Sequence, residues 1–174
     1  MLTVGIGDCK VTKDRDAVLT TYGLGSCISV VVHDPAVCVG GLLHFMLPDS
    51  TLDRPKSEAR PYLFADTGIP LLFRSTYELG AQKDRMIVRI IGGAQVLDRE
   101  GVFNIGKRNY QAVRKILWRA GVLVHSEQVG GAASRTVRLE VSSGQTWIRS
   151  AQDPGLAPGP RQVEPGGLKW QLMC

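Results

Sequence analysis

The chain has 174 residues, 44% of them hydrophobic, which is typical of a single globular domain with a sizeable core. Its formal net charge of +5 favours acidic partners, but basic and acidic residues are interspersed and only 6% of residues are aromatic, so nucleic-acid binding is not indicated. No apolar stretch reaches the roughly 20 residues that span a bilayer, and the first residues lack the regions of a signal peptide, so we expect a cytoplasmic protein without membrane insertion.

The cysteines and histidines are scattered along the chain. None of the four cysteines belongs to a C-x-x-C pair, and the three histidines are far apart. This pattern predicts free thiols and neither a metal site nor a disulfide framework. The short glycine motifs do not complete a phosphate-binding loop, so no cofactor is predicted. The cysteines are Cys9, Cys27, Cys38 and Cys174.

The first elements that the sequence predicts are strands. LTVGIG, GSCISVVVHD and CVGGLLHFML are rich in β-branched and apolar residues, and an Asp-Pro turn separates the last two. The simplest arrangement of these two runs is an antiparallel hairpin. A residue early in its first strand then lies opposite one late in its second. The pattern therefore predicts that Cys27 and His44 meet at one end of a sheet.

Two helices and further strands follow in the predicted order. Residues 47–60 read as a loop, and residues 61–80 as an amphipathic helix with Thr67 as its N-cap. MIVRIIGG is typical of a buried strand, and the next helix begins after Asn104, which we expect to cap it, and ends before Gly121. VLVHSEQV, RTVRLEVSS and QTWIRSA predict three more strands.

This order of elements predicts a mixed α+β (α/β) fold, in which helices pack on a sheet. Residues 1–151 form one predicted domain. Residues 152–174 are rich in proline and glycine and are predicted to form a flexible tail.

Cys27 and His44 are the candidate catalytic pair. A buried cysteine in an apolar strand is usually structural, but Gly23, Gly25 and Ser26 precede this one in a turn whose N–H groups can hold an oxyanion. An imidazole beside a thiol can take its proton, and an imidazolium there would favour the thiolate. Such pairs usually have a third group that orients the imidazole. The candidates for that group are Thr20, Thr21, Asp34 and Asp49.

At these residues the chain closely resembles the CheD family, the chemoreceptor glutamine deamidases of bacterial chemotaxis. The resemblance rests on T-x-G-L-G-S-C at positions 21–27 and on G-G-L-x-H-x-M-L-P at positions 40–48. It is supported by DTGIPLL at 66–72, IGGA at 91–94 and IGKRN at 105–109. Several motifs in the same order make the match specific, and it extends to about residue 148.

The resemblance implies a cysteine hydrolase with Cys27 as nucleophile, His44 as general base and acid, and Thr21 as the orienting residue. It implies a sandwich fold like that of toxin-type cysteine deamidases. The substrate would be the cytoplasmic part of a methyl-accepting chemotaxis protein, whose glutamines become glutamates with release of ammonia in chemotaxis adaptation. Hydrolysis of receptor methyl esters and a complex with the phosphatase CheC are also implied.

Two other classes of function are compatible with the same residues. A non-catalytic regulator that docks on receptors or on CheC would keep Cys27 and His44 for packing alone. A protease or a transglutaminase would use the same pair with a different leaving group or acceptor.

Overall fold

The computed structural model of the protein describes residues 1–95, 104–151 and 171–173. Within these ranges the chain forms ten strands and three α-helices. The strands are β1 (Leu2–Thr3), β2 (Asp8–Thr12), β3 (Val18–Leu24), β4 (Ile28–Asp34), β5 (Val39–Phe45), β6 (Ile87–Gly92), β7 (Ser126–Val129), β8 (Arg135–Glu140), β9 (Thr146–Ser150) and β10 (Gln171–Met173). The helices are α1 (Arg54–Ala59), α2 (Ala65–Glu78) and α3 (Ile105–Arg119).

The strands form two sheets, and the mixed α+β prediction is confirmed. One sheet has the strand order β2-β5-β4-β6-β7 and the other the order β1-β3-β8-β9-β10. A buried apolar cluster joins residues of both sheets, among them Leu42 and Ile91 from the first and Leu139 from the second. A second cluster joins the opposite face of the first sheet to α2 and α3. The first sheet is thus covered on both faces, which explains the continuous apolar sequence of its central strands.

The predicted hairpin is confirmed. β4 and β5 pair antiparallel over their whole lengths, with Ile28 opposite Phe45 and Ser29 opposite His44. All seven residues of each strand are buried. Alternation of side chains sends Ile28 and Phe45 towards the helices, and therefore sends Ser29 and His44 towards the second sheet.

One strand that positions the site was not predicted. Val18–Leu24 forms β3 of the second sheet, pairing antiparallel with β8, and the register shifts between Thr21 and Leu24. From the sequence, only the end of this segment is interpreted, as a glycine turn before Cys27. Its pattern of two threonines and a tyrosine between leucines favours a strand, and the glycine at its end obscured that signal.

The predicted helix caps differ in detail. The second helix, α2, begins at Ala65, so the prediction of Thr67 as its N-cap was wrong; Thr67 lies in the first turn, and its hydroxyl donates to the carbonyl of Pro61. Asn104 does precede α3, but its side chain makes no capping hydrogen bond and its backbone is left-handed, with φ of 48°. The predicted loop at 47–60 contains the short helix α1.

The segment after the domain is not uniformly without structure. Residues 171–173 form β10, which pairs antiparallel with β9 and adds a strand to the second sheet. The prediction of a flexible tail therefore does not hold at this strand, while residues 152–170 and 174 lie outside the described residues. In the described ranges, no helix has the length and apolar character needed to cross a membrane.

Candidate active site

Cys27 lies between the two sheets at the point where the chain passes from one to the other. It follows the turn that leaves β3 and immediately precedes β4. Its side chain is 8% exposed and packs in the cluster between the sheets. The thiol is thus nearly enclosed, yet it lies at the end of a strand rather than in the middle of the core.

His44 lies on the same face of the first sheet as Cys27. It pairs with Ser29, and Cys27 is two residues before Ser29, so Cys27 and His44 are diagonal neighbours across β4 and β5. Cα atoms of diagonal neighbours lie about 7–8 Å apart, with the side chains on the same face. His44 is completely buried. The register therefore places the two residues as neighbours on one face of the hairpin.

Thr21 reaches His44 from the opposite sheet. Its Oγ1 lies 2.8 Å from His44 Nδ1 and 2.7 Å from the carbonyl oxygen of Val4. Because a carbonyl oxygen can only accept, the Thr21 hydroxyl donates to Val4, and Nδ1–H of His44 then donates to Thr21 Oγ1. This arrangement fixes the tautomer of His44 and leaves a lone pair on Nε2. Thr21 is the only one of the four candidate orienting residues with a hydrogen bond to this ring in the described part of the chain.

Nε2 of His44 is buried and has no hydrogen-bond partner among the described residues. An unsatisfied buried nitrogen is costly, and such atoms concentrate where a group must be free to react. Catalytic hydrogen bonds are often unformed until substrate is bound. The lone pair of Nε2 is therefore available to a proton on the thiol side of the site.

Burial keeps both members of the pair uncharged. It raises the pKa of the Cys27 thiol to about 11, against a smaller opposing effect of the residue's own backbone N–H. It lowers the pKa of His44 to about 4. At neutral pH the pair therefore rests as a thiol and a neutral imidazole, without the imidazolium that would favour a thiolate.

The turn before Cys27 is held by hydrogen bonds of its own. Gly23 has φ of 68°, as a glycine turn predicts, whereas Gly25 does not adopt positive φ. The N–H of Gly25 donates to the carbonyl of Gly23 at 2.9 Å, so it is not free to hold an oxyanion. The N–H of Cys27, by contrast, faces its own sulfur. Ser26 lies between Gly25 and Cys27 in the chain, and its carbonyl also accepts a hydrogen bond.

Asn109 supports this turn and was not identified from the sequence. It is completely buried on α3, and its Nδ2 donates to the carbonyl of Ser26 at 3.0 Å and to that of Met46 at 2.8 Å. These bonds tie the turn that carries Cys27 to the end of the strand that carries His44. A signal was present: Asn109 lies one turn before Val113, which belongs to the apolar stripe of the helix.

Two glycines at the end of β6 pack against the backbone of Cys27. The N–H of Gly93 donates to the carbonyl of Cys27 at 2.8 Å. Gly92 has φ of 120°, and a Cβ atom added there would collide with the same carbonyl oxygen. Only glycine allows this approach, which explains the glycine at this position. In the described residues, no cluster of three or more histidine, cysteine or acidic side chains could hold a metal ion.

Comparison with known proteins identifies the family. The family model described as CheD chemotactic sensory transduction matches residues 46–150, a range that begins two residues after His44. A protein of Solibacter usitatus named probable chemoreceptor glutamine deamidase CheD is 51% identical over 148 residues, which are 85% of this chain and 88% of that protein. Probable chemoreceptor glutamine deamidase CheD 1 of Syntrophus aciditrophicus is 50% identical over 87% of this chain and 94% of its own. The chain belongs to the CheD family.

Proposed function

We propose that this protein is a chemoreceptor glutamine deamidase. It hydrolyses glutamine side chains of chemoreceptors to glutamate and releases ammonia, the activity for which its relatives are named. The observation that best supports catalysis by this chain concerns Nε2 of His44, which has no partner among the described residues and is held on the face of Cys27 by the bond from Nδ1 to Thr21. In this proposal Cys27 is the nucleophile, His44 the base and acid, and Thr21 the orienting residue.

The reaction begins with transfer of the thiol proton. Nε2 of His44 takes the proton of Cys27 as the sulfur attacks the side-chain carbonyl carbon of a glutamine. The C–S bond forms, and the carbonyl oxygen becomes an oxyanion. The N–H of Cys27 stabilises it, together with the N–H of Ser26, while Gly23 and Gly25 shape the turn. Because both partners start uncharged, the imidazole acts as a base during the attack.

The intermediate then breaks down and is hydrolysed. The protonated His44 gives its proton to the amide nitrogen, the C–N bond breaks, and ammonia leaves a thioester on Cys27. The oxygen of a water molecule next attacks the thioester carbon while His44 takes a proton from that water. The C–S bond breaks, the sulfur regains a proton from His44, and glutamate is released. One neutral amide is thus exchanged for one carboxylate in each turnover.

The same acyl-enzyme permits related roles that belong to this proposal. A receptor methyl ester would give the same thioester with methanol as leaving group, so methylesterase activity needs no further residue. Action on the cytoplasmic part of a receptor places the enzyme in the cytoplasm. Binding to the phosphatase CheC, which the family resemblance implies, would link deamidation to adaptation.

Peptide mass spectrometry of a receptor cytoplasmic fragment tests the proposed function. The fragment is incubated with the wild-type protein, with Cys27→Ala and with Cys38→Ala, a matched control whose cysteine lies in the turn at the opposite end of the hairpin. We expect Gln-to-Glu conversion with the wild type and the control, and none with Cys27→Ala. Ammonia release without chain cleavage or amine incorporation separates a deamidase from a protease and from a transglutaminase.

The alternative is a regulator that docks on receptors or on CheC without catalysis. It predicts that the receptor fragment binds and that its glutamines stay intact with every one of these proteins. It also predicts that Cys27→Ala leaves chemotactic adaptation unchanged when it replaces the wild-type protein in cells.

A further inference from the structure

A groove beside α3 lies outside the catalytic residues. It has a cavity volume of about 570 Å³ and runs between α3 and the segment that follows β5. Arg108, Lys115 and Arg119 line it from the helix, and Asp49 and Asp66 line it from the other side. Charged side chains thus line it on both sides.

The three cations of the groove share one face of the helix. Positions 108, 115 and 119 are spaced by seven and four residues, which places their side chains along one line. From the first to the last, a spacing of eleven residues, they extend over about 16 Å along the helix axis. All three are exposed, and none has a carboxylate partner within the described ranges. Arg114, on a neighbouring face, is instead paired with Glu127 at 2.8 Å.

The two acidic residues of the groove are already engaged. Asp49 accepts from the N–H of Thr51 at 2.8 Å, and Asp66 accepts from the N–H and the hydroxyl of Ser50 at 2.9 and 2.6 Å. The pKa of Asp49 lies below its usual value mainly because of its bonds to Thr51, and slightly because of the charge of Lys115. Internal bonds therefore hold the acids, while the cations are free to bind another molecule.

One end of the groove is connected to the turn of Cys27 through Asn109. Arg108 is the neighbour of Asn109, whose side chain bonds the carbonyl of Ser26 directly before the cysteine. The same side chain bonds the carbonyl of Met46, two residues before Pro48, which lines the groove. A molecule lying along α3 would thus have one end close to the turn that carries the thiol.

We propose that this groove binds a carboxylate-rich segment of the protein substrate, beside the glutamine that enters the site. The proposal rests on the proposed deamidase function and names the surface that recognises its substrate. Unpaired lysine and arginine favour an anionic partner. A protein segment is favoured over nucleic acid, because none of the described residues that line the groove is aromatic and could stack on a base.

The test measures binding separately from turnover. Fluorescence anisotropy follows a labelled cytoplasmic fragment of a chemoreceptor from the same organism, titrated with Cys27→Ala protein. The groove variant adds Lys115→Glu and Arg119→Glu. The matched control adds Lys13→Glu and Arg15→Glu, which change the net charge equally at exposed positions far from His44. Arg108 is left intact because its neighbour supports the catalytic turn.

At low ionic strength we expect the Kd of the groove variant to rise about fivefold or more, and that of the control to stay within about twofold. High salt should remove the difference. Equal affinities of the two variants, no binding by the parent protein, or displacement of the fragment by a DNA duplex that binds more tightly would each overturn the proposal.

Steady-state kinetics separates the two proposals when the same substitutions are made in protein that keeps Cys27. The groove variant should raise KM for the receptor fragment with kcat unchanged, and should leave the rate of Cys27 alkylation by iodoacetamide unchanged. If the wild type deamidates the fragment and the groove variant has the KM of the control, the groove proposal fails while the function stands. If no protein deamidates it but the binding difference is found, the proposed function fails while the groove proposal stands.

Discussion

The hydroxyl of Thr21 and the imidazole of His44 form a hydrogen bond of 2.8 Å that crosses from one sheet of the sandwich to the other. The backbone carbonyl of Val4 accepts the hydrogen bond that the hydroxyl donates, so His44 must donate from Nδ1. The orientation of the imidazole therefore depends on how the two sheets pack. A rotation of one sheet relative to the other would move the base away from the thiol.

We predict that Thr21→Val lowers kcat for receptor deamidation by about 10- to 100-fold, because His44 loses the acceptor that fixes its tautomer. Thr21→Ser should retain most of the activity, since it keeps the hydroxyl. Ammonia release from a receptor fragment measures the effect.

The neighbouring Thr20 supplies the matched control. Its Oγ1 is buried with no partner among the described residues, so Thr20→Val should leave kcat unchanged and raise the free energy of unfolding by about 1 kcal/mol. Equal loss of activity in Thr20→Val and Thr21→Val would show that β3 needs its hydroxyls for folding and that Thr21 has no specific role.

The hairpin of β4 and β5 could be predicted because its information is local. Two buried apolar runs around an Asp-Pro turn allow few other pairings, and this register alone brings Cys27 near His44. The choice of Thr21 among four candidates could not be made from the residues themselves. It depends on how β3 of the second sheet packs on the first, which no spacing within the chain specifies.

Asn109 and the groove show a second limit of what can be predicted from the sequence. The sequence predicts α3 and its apolar stripe well, since both follow from local periodicity. Whether a polar residue at the margin of that stripe is exposed or buried depends on which backbone carbonyls face it. Asn109 meets the carbonyls of Ser26 and Met46, which are 83 and 63 residues away in the chain. The line of basic residues on α3 follows from their spacing, but the wall that faces it, with Asp49 and Asp66, depends on how the helix packs.

The pH dependence of activity tests whether the thiol of Cys27 and the imidazole of His44 are both uncharged at neutral pH. With a pKa of about 4, His44 stays unprotonated down to acidic pH, so its action as a base should be lost only as pH falls through about 4. An ordinary histidine would lose this action near pH 6.5. We therefore expect kcat/KM to be flat between about pH 6 and pH 8.

Alkylation by iodoacetamide, followed by peptide mass spectrometry, measures the thiol directly. The rate at Cys27 should keep rising with pH towards about 11, because only the thiolate reacts. Cys9, whose pKa burial raises to about 12, is an internal reference that should react more slowly. A rate at Cys27 that is already constant below pH 7 would contradict the neutral pair and indicate a thiolate and imidazolium.

Asn109→Ala should weaken both the fold and the site. It removes two buried hydrogen bonds, so we expect the free energy of unfolding to fall by about 2–3 kcal/mol. Because the Cys27 turn loses its tie to the end of β5, kcat should fall more than KM rises. Urea denaturation and steady-state kinetics measure the two effects at a temperature where the variant is folded.

Arg114→Ala on the same helix is the control for Asn109→Ala. It removes an exposed ion pair with Glu127, which we expect to cost at most about 0.5 kcal/mol with no change in kcat. If Asn109→Ala were destabilised as expected but kept the wild-type kcat, Asn109 would be a residue of the fold alone and would not position the nucleophile.

Glycine substitutions separate backbone conformation from close approach at the nucleophile. Gly5→Ala should be nearly neutral, because an added Cβ there has open space and φ is not positive. Gly23→Ala also has space but must adopt φ of 68°, which costs about 1 kcal/mol. Gly92→Ala meets both a positive φ and the carbonyl of Cys27, so we expect a loss of about 3 kcal/mol or more.

The activity that each glycine variant loses should depend on how far the backbone of Cys27 moves, and not only on the loss of stability. In Gly92→Ala the clash can be relieved only by moving β6 or the backbone of Cys27, and Gly93 must then give up its bond to the same carbonyl. We expect ammonia release to fall by about 100-fold or more in protein that is still folded, since a displacement of about 1 Å at a reacting atom has an effect of this size. Gly23→Ala should retain measurable turnover. A folded Gly92→Ala protein as active as Gly23→Ala would show that close packing of β6 against Cys27 is not needed for catalysis.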